Sequence, residues 1–322
     1  MNYLSVKDSN VSGKTIVAYN STNVSGNTNW IFGSAGTVYW TNSSGNGLWS
    51  NAANWSTGAV PISTDSVIFN TASTTNCSFD TGVANTTVAN LTLDTGYTGT
   101  LTLAQGIIVS GTITINAGTI NDGGQTVNLT NMAYTAGTIT SSGTWKAVAN
   151  GTISSWGSSG VNNFEVATGK NSAIANSITM RIKNQVVQRG NSIITIGSGS
   201  YLWYISAAAT DPIYQESGAT VSGGTINFGG ITSAISQRAF TTTGDFAVSQ
   251  TTATFTATGA WDIGGKFYNS TNSTYTAAFN FGANTIKVAG DFDLRGMALN
   301  PGTSTLQITG ANSLTSNMYG KT

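Results

Sequence analysis

Asp291 and Asp293 stand two residues apart in Gly-Asp-Phe-Asp-Leu-Arg-Gly, with Arg295 two further on. On a β-strand this spacing puts both carboxylates and the guanidinium on one face. Glycoside cleavage uses such a carboxylate pair as acid and base. The same pair could begin a calcium site, whose other oxygen ligands the sequence does not name. Two carboxylates beside an arginine are also the composition of a surface ion pair, and that reading weighs more here. A second group offers binding chemistry. Trp40, Trp49 and Trp55 crowd one short segment, and Tyr201-Leu202-Trp203-Tyr204 forms another aromatic run. With exposed rings, Trp49, Trp55, Trp203 and Tyr204 would make a platform for stacking sugars. With buried rings they would be packing, and the Trp49/Trp55 segment favours packing.

The remaining chemistry is sparse. There is no histidine, which removes His-based triads, the commonest general base and the usual transition-metal ligand. The single cysteine, Cys77, excludes an intrachain disulfide and has no basic neighbour in sequence to activate it. No phosphate- or dinucleotide-binding loop stands in a strand-to-helix context. The expectation is a chain that is not an enzyme and needs no cofactor. Charged residues are only 7% of 322, with 12 basic and 12 acidic. Ordinary domains carry about 25%. No electrostatic footprint for nucleic acid or anionic lipid follows, and Arg181, Lys183 and Arg189 read as a solvated face. No apolar run reaches the roughly 18 residues of a membrane span.

The elements that must position these groups are strands. From Leu91 to Thr130, apolar residues alternate with Thr, Ser or Asn: Leu101 and Leu103, Ile107 and Val109, Ile113 and Ile115, Val127 and Leu129. Period-two alternation means one buried and one wet face, and Gly99, Gly106, Gly111, Gly118 and Gly123 mark corners. A solenoid that stacks each short strand on its counterpart one coil earlier accounts for such a string. The runs Thr254–Gly259, Thr285–Gly290 and Thr305–Gly310 share a Thr-apolar-x-apolar pattern, and Gly244-Asp245-Phe246 repeats at Gly290-Asp291-Phe292. Their spacing is uneven, so coil length varies. Thr-x-Thr pairs at 100/102, 112/114, 138/140 and 254/256 raise the idea of an ice-binding ladder, but their intervals are too irregular for one flat face.

Trp40, Gly45, Gly47, Trp49, Asn54-Trp55, Gly58, Pro61, Asp65 and Phe69 form a segment that resembles one found in Thr/Gly-rich β-helix repeat proteins of bacterial surfaces and phage virions, where it introduces the coils. Asn27–Phe32 resembles the element that closes such a unit, and Ser313–Asn317 with Gly320–Thr322 resembles a stretch that runs on into a further strand. The resemblance implies an extended surface or virion role and no catalytic residues.

The expected fold is therefore all-β: an elongated β-solenoid, a right-handed parallel β-helix, with consecutive β-sandwich domains as the alternative. Residues 1–36 read as the end of a preceding coil unit, 37–70 as the Trp-rich segment and 71–322 as the solenoid body, less regular at 161–240. The expected function is a non-catalytic, self-associating structural protein of an extracellular fibre, surface layer or virion appendage. Its partners would be copies of itself or neighbouring segments of a longer chain, with surface glycans as further partners and neither nucleic acid nor membrane insertion. An adhesin or carbohydrate-binding module and a polysaccharide-degrading β-helix enzyme are the other classes. Met1–Gly13 lacks the charged start and apolar run of a secretion signal, which fits a virion component, another export route or an internal piece of a longer polypeptide.

Overall fold

The computed structural model describes residues 4–12, 16–19, 21–33, 36–157, 159–207, 210–249, 251–270 and 278–310. The Ser313–Thr322 stretch singled out above lies outside them. Among the described residues are 35 short strands, one 3-10 turn at Ala52–Asn54 and no α-helix. No helix is long and apolar enough to cross a membrane. The strands stack in parallel as a β-solenoid of about 13 turns and do not close into a barrel. The parallel register excludes the β-sandwich alternative, whose sheets pair antiparallel. The antiparallel contact in the described residues is a lone bridge between Trp40 and Trp55.

The chain divides into two compact units. Unit 1 comprises Met1–Leu129 and Ala133–Thr140; unit 2 comprises Thr130–Met132 and Ser141–Thr322. In unit 1, alternation becomes columns of like side chains. Cys77, Leu101, Ile120 and Ile139 lie in successive register, each no more than 1% exposed. Val67, Leu91 and Ile113 form a second column, with no exposure. Each coil thus buries its apolar face on the coil below, worth roughly 1.5–3 kcal/mol per large side chain.

Unit 2 uses larger residues. Met180, Leu202, Ile226, Phe246, Phe267 and Phe292 follow one another in register. Tyr204 stacks flat on Phe228, with ring centroids 4.4 Å apart and planes 2° apart. Strand pairing continues through 161–240, where the visible irregularity is a register shift between Val161 and Asn163. The shared Thr-apolar pattern grouped strands from different faces. Thr285–Val288 does pair with Thr305–Ile308, but Thr254–Ala257 pairs with Ala278–Asn280 instead. Phe246 and Phe292 of the two Gly-Asp-Phe repeats do share a column, with Phe267 between them.

Asparagine and glycine make the corners. Asn76, Asn90, Asn131, Asn150 and Asn176 each accept, at 2.9 Å through Oδ1, the backbone N–H of a residue 21 to 24 positions later. Glycine precedes the donor at Thr100, Thr112, Thr152 and Ser198; at the last three the asparagine and the backbone of the lower coil fill the space, and before Thr100 the Thr74 and Thr75 carbonyls and the Tyr97 hydroxyl do. A Cβ at Gly151 would overlap the Thr130 carbonyl oxygen. Gly123 adds a left-handed backbone, φ 56°, that other residues adopt at a cost.

Candidate functional site

The Trp-rich segment packs inward. Trp40 and Trp49 are fully buried and Trp55 is 2% exposed. Trp49 and Trp55 meet edge to face at 4.6 Å, and Trp49 meets Phe79 likewise at 4.9 Å. Trp55 Nε1 donates to the Trp49 carbonyl at 2.7 Å, and Trp40 Nε1 to the Thr75 carbonyl at 3.3 Å. Asn54, also fully buried, ties the preceding loop together. Its Oδ1 accepts from Ser44 N (3.0 Å) and Ser44 Oγ (2.6 Å), and its Nδ2 donates to Asn46 Oδ1 (2.7 Å) and the Leu48 carbonyl (2.9 Å). The sugar-platform reading of Trp49 and Trp55 is therefore corrected: neither ring presents a face to a ligand.

Tyr204 is corrected in the same way. It has no exposed surface, its hydroxyl donates to the Pro212 carbonyl at 2.9 Å, and burial pushes its ionisation well above the usual range. Strand alternation puts Trp203 on the opposite, outer face, where it is half-buried. Its ring lies against Gly229, where a Cβ would overlap the indole, and meets Tyr201 edge to face at 6.0 Å.

Asp291 and Asp293 do not form a pair with a shared task. Lys266 Nζ contacts Asp291 at 3.1 Å, and Arg295 engages Asp293 through Nη2 at 2.6 Å and Nε at 2.8 Å. The Asp293 hydrogen bond and charge raise the Arg295 guanidinium, as expected for a settled ion pair. Among the described residues no three His, Cys, Asp or Glu side chains gather as a metal site. Asp291 and Asp293 thus each hold a cation in a surface ion pair, the reading that weighed more in the sequence.

What the structure assembles lies elsewhere in unit 2. Lys146, Glu165, Arg189 and Glu216 form a chain of ion pairs across successive coils, with Lys146 to Glu165 at 2.9 Å, Arg189 to Glu165 at 3.0 Å and Arg189 to Glu216 at 2.9 Å. Burial alone would raise the Glu165 carboxyl, but hydrogen bonds from Arg189 and Lys146 outweigh it and hold it below the ordinary range. Beyond Glu216 the wall sinks into a groove of about 350 Å³. Gln215, Glu216, Asp262 and Lys287 line it together with the exposed Ala239 and Ala260 and the buried Phe240 and Trp261. These residues are scattered over four coils, and no local pattern in the sequence joins them.

The chain matches no family model, no curated protein and no solved structure.

Proposed function

We propose that this chain is a non-catalytic structural protein of an extracellular fibre, surface layer or virion appendage, and that it associates with copies of itself. The strand Thr305–Ile308 is the observation that supports the reading. It pairs in register with Thr285–Val288, placing Leu306 beside Ile286 and Ile308 beside Val288. Ile286 and Val288 are fully buried, whereas Leu306 and Ile308 are only half-buried. Thr285–Val288 is the strand in register with Thr305–Ile308 among the described residues. An apolar column that runs on into the last described parallel strand suits another coil of the same kind, which adds backbone hydrogen bonds and covers the two side chains. The 7% charge content and hydroxyl- and amide-rich walls fit a hydrated external surface, as does the resemblance of the Trp-rich segment to surface and virion repeat proteins.

Sedimentation velocity across a concentration series tests this. The wild-type chain is expected to form larger species as concentration rises, and the double variant Leu306→Lys, Ile308→Lys to remain a monomer. Identical sedimentation of the two proteins would overturn the reading.

A further inference from the structure

The groove in unit 2 has the chemistry of a binding site. Gln215, Thr241, Asp262 and Lys287 occupy one column along it. The Gln215 amide donates to the Thr241 carbonyl at 3.0 Å and accepts the Thr241 N–H at 2.7 Å. Thr241 lies opposite Asp262, and Asp262 opposite Lys287. Neighbouring strands are about 4.8 Å apart, so the three steps run about 14 Å along the stack. The volume of about 350 Å³ falls in the ordinary range for small-ligand sites.

The walls are amphipathic. Ala219, Ala239 and Ala260 contribute apolar surface, the last two exposed, beside buried Phe240 and Trp261. The rim alternates donors and acceptors. The Glu216 carboxylate is fixed by Arg189 Nη1 and by Gly190 N, each at 2.9 Å. Asp262 and Lys287 are about half exposed, at 55% and 47%, and sit 3.9 Å apart. Each carboxylate thus meets a cation, Glu216 the Arg189 it shares with Glu165 and Asp262 the Lys287 ammonium, and the groove offers no net charge to a ligand. A nucleic acid or sulfated polymer would meet two carboxylates with no surplus cation to offset them. A chain of neutral sugar rings meets the site on every count. Its C–H faces suit the alanine surface, its hydroxyls can bond both carboxylate and ammonium, and one ring unit is close to one coil step in length.

We propose that this groove binds a neutral linear glycan lying along the stack, with Asp262 and Lys287 as its principal hydrogen-bonding groups. This binding holds whether or not the chain assembles with its own copies. Affinity electrophoresis of the whole chain through gels containing dextran, laminarin, galactomannan or xylan, with anionic alginate as control, tests it. At least one neutral polysaccharide is expected to retard the wild type. Asp262→Ala and Lys287→Met should each weaken that retardation by about tenfold or more, the usual scale for losing a hydrogen bond to a charged group. Ala239→Trp, which fills the groove, should abolish it. The two rim variants change exposed side chains, so they remain informative even where Ala239→Trp fails to fold. No retardation by any neutral polymer, equal or stronger retardation by alginate, or rim variants that bind like wild type would overturn the proposal.

Discussion

Asn54 should be the most sensitive polar position in unit 1. Its fully buried side chain makes four hydrogen bonds within the loop that carries Trp49. Asn54→Ala leaves Ser44 Oγ and Asn46 Oδ1 free to turn to water, since both residues are exposed. The Ser44 N–H is a backbone group and cannot turn away, whereas the Leu48 carbonyl keeps the Asn51 N–H at 3.3 Å. A stranded N–H costs about 1–3 kcal/mol, lessened here by partial access of water, so the variant should lose about 1–2 kcal/mol. Asn54→Asp keeps the acceptor for Ser44 but replaces two donors with a carboxylate oxygen facing Asn46 Oδ1 and the Leu48 carbonyl. The fold then disfavours the charged form, so the folded state binds the proton more tightly than the unfolded state. Its destabilisation must grow as pH rises above the unfolded carboxyl value of about 3.9, by up to about 1.4 kcal/mol per pH unit. Urea titrations at pH 5 and pH 8, followed by tryptophan fluorescence, read both effects. An Asn54→Ala loss below about 0.5 kcal/mol would refute the reasoning, since that is the ordinary scale of an innocuous surface change. So would an Asn54→Asp midpoint that does not move between the two pH values.

Two further outcomes follow from the ionisable groups. Because the folded Glu165 carboxyl is held below its ordinary value, its stabilisation is present above the unfolded value of about 4.3 and is lost as pH falls through the lower folded value. Glu165→Gln should cost about 1 kcal/mol at neutral pH, screened by the partial exposure of Lys146 and Arg189, and the cost should vanish in acid melts. Cys77 is buried, and burial followed by the Asp80 charge raises its thiol well above the ordinary range. A chromogenic disulfide reagent at pH 8 should leave the native chain unlabelled and label it fully in urea; rapid native labelling would contradict the burial.

Much of the wall was legible in the sequence, because period-two alternation is a local property. Leu101 and Leu103 point inward as their spacing requires. The stacking partners were less legible, since a parallel pairing joins residues 14 to 29 positions apart through corners of unequal length. Thr254–Gly259 and Thr285–Gly290 look alike because every wall strand meets the same demand, and likeness does not say which face a strand occupies. The frequency of asparagine read as mere polarity. In the fold, Asn90 and Asn131 bond the coil above, which also explains the glycine before Thr112 and Thr152. Aromatic type was visible, but its direction was not. Trp203 and Tyr204 are neighbours, and alternation sends one out and the other in. The groove was invisible because its lining comes from separate coils and includes residues as plain as Ala239 and Ala260.

Self-association is tested most directly by electron microscopy of the purified chain at increasing concentration. Assembly through Thr305–Ile308 should give particles of more than one chain, whose strand spacing of about 4.8 Å continues unbroken across the joint. Leu306→Lys with Ile308→Lys should dissolve them. Single-chain particles at every concentration, or assemblies joined elsewhere and untouched by the double variant, would contradict it.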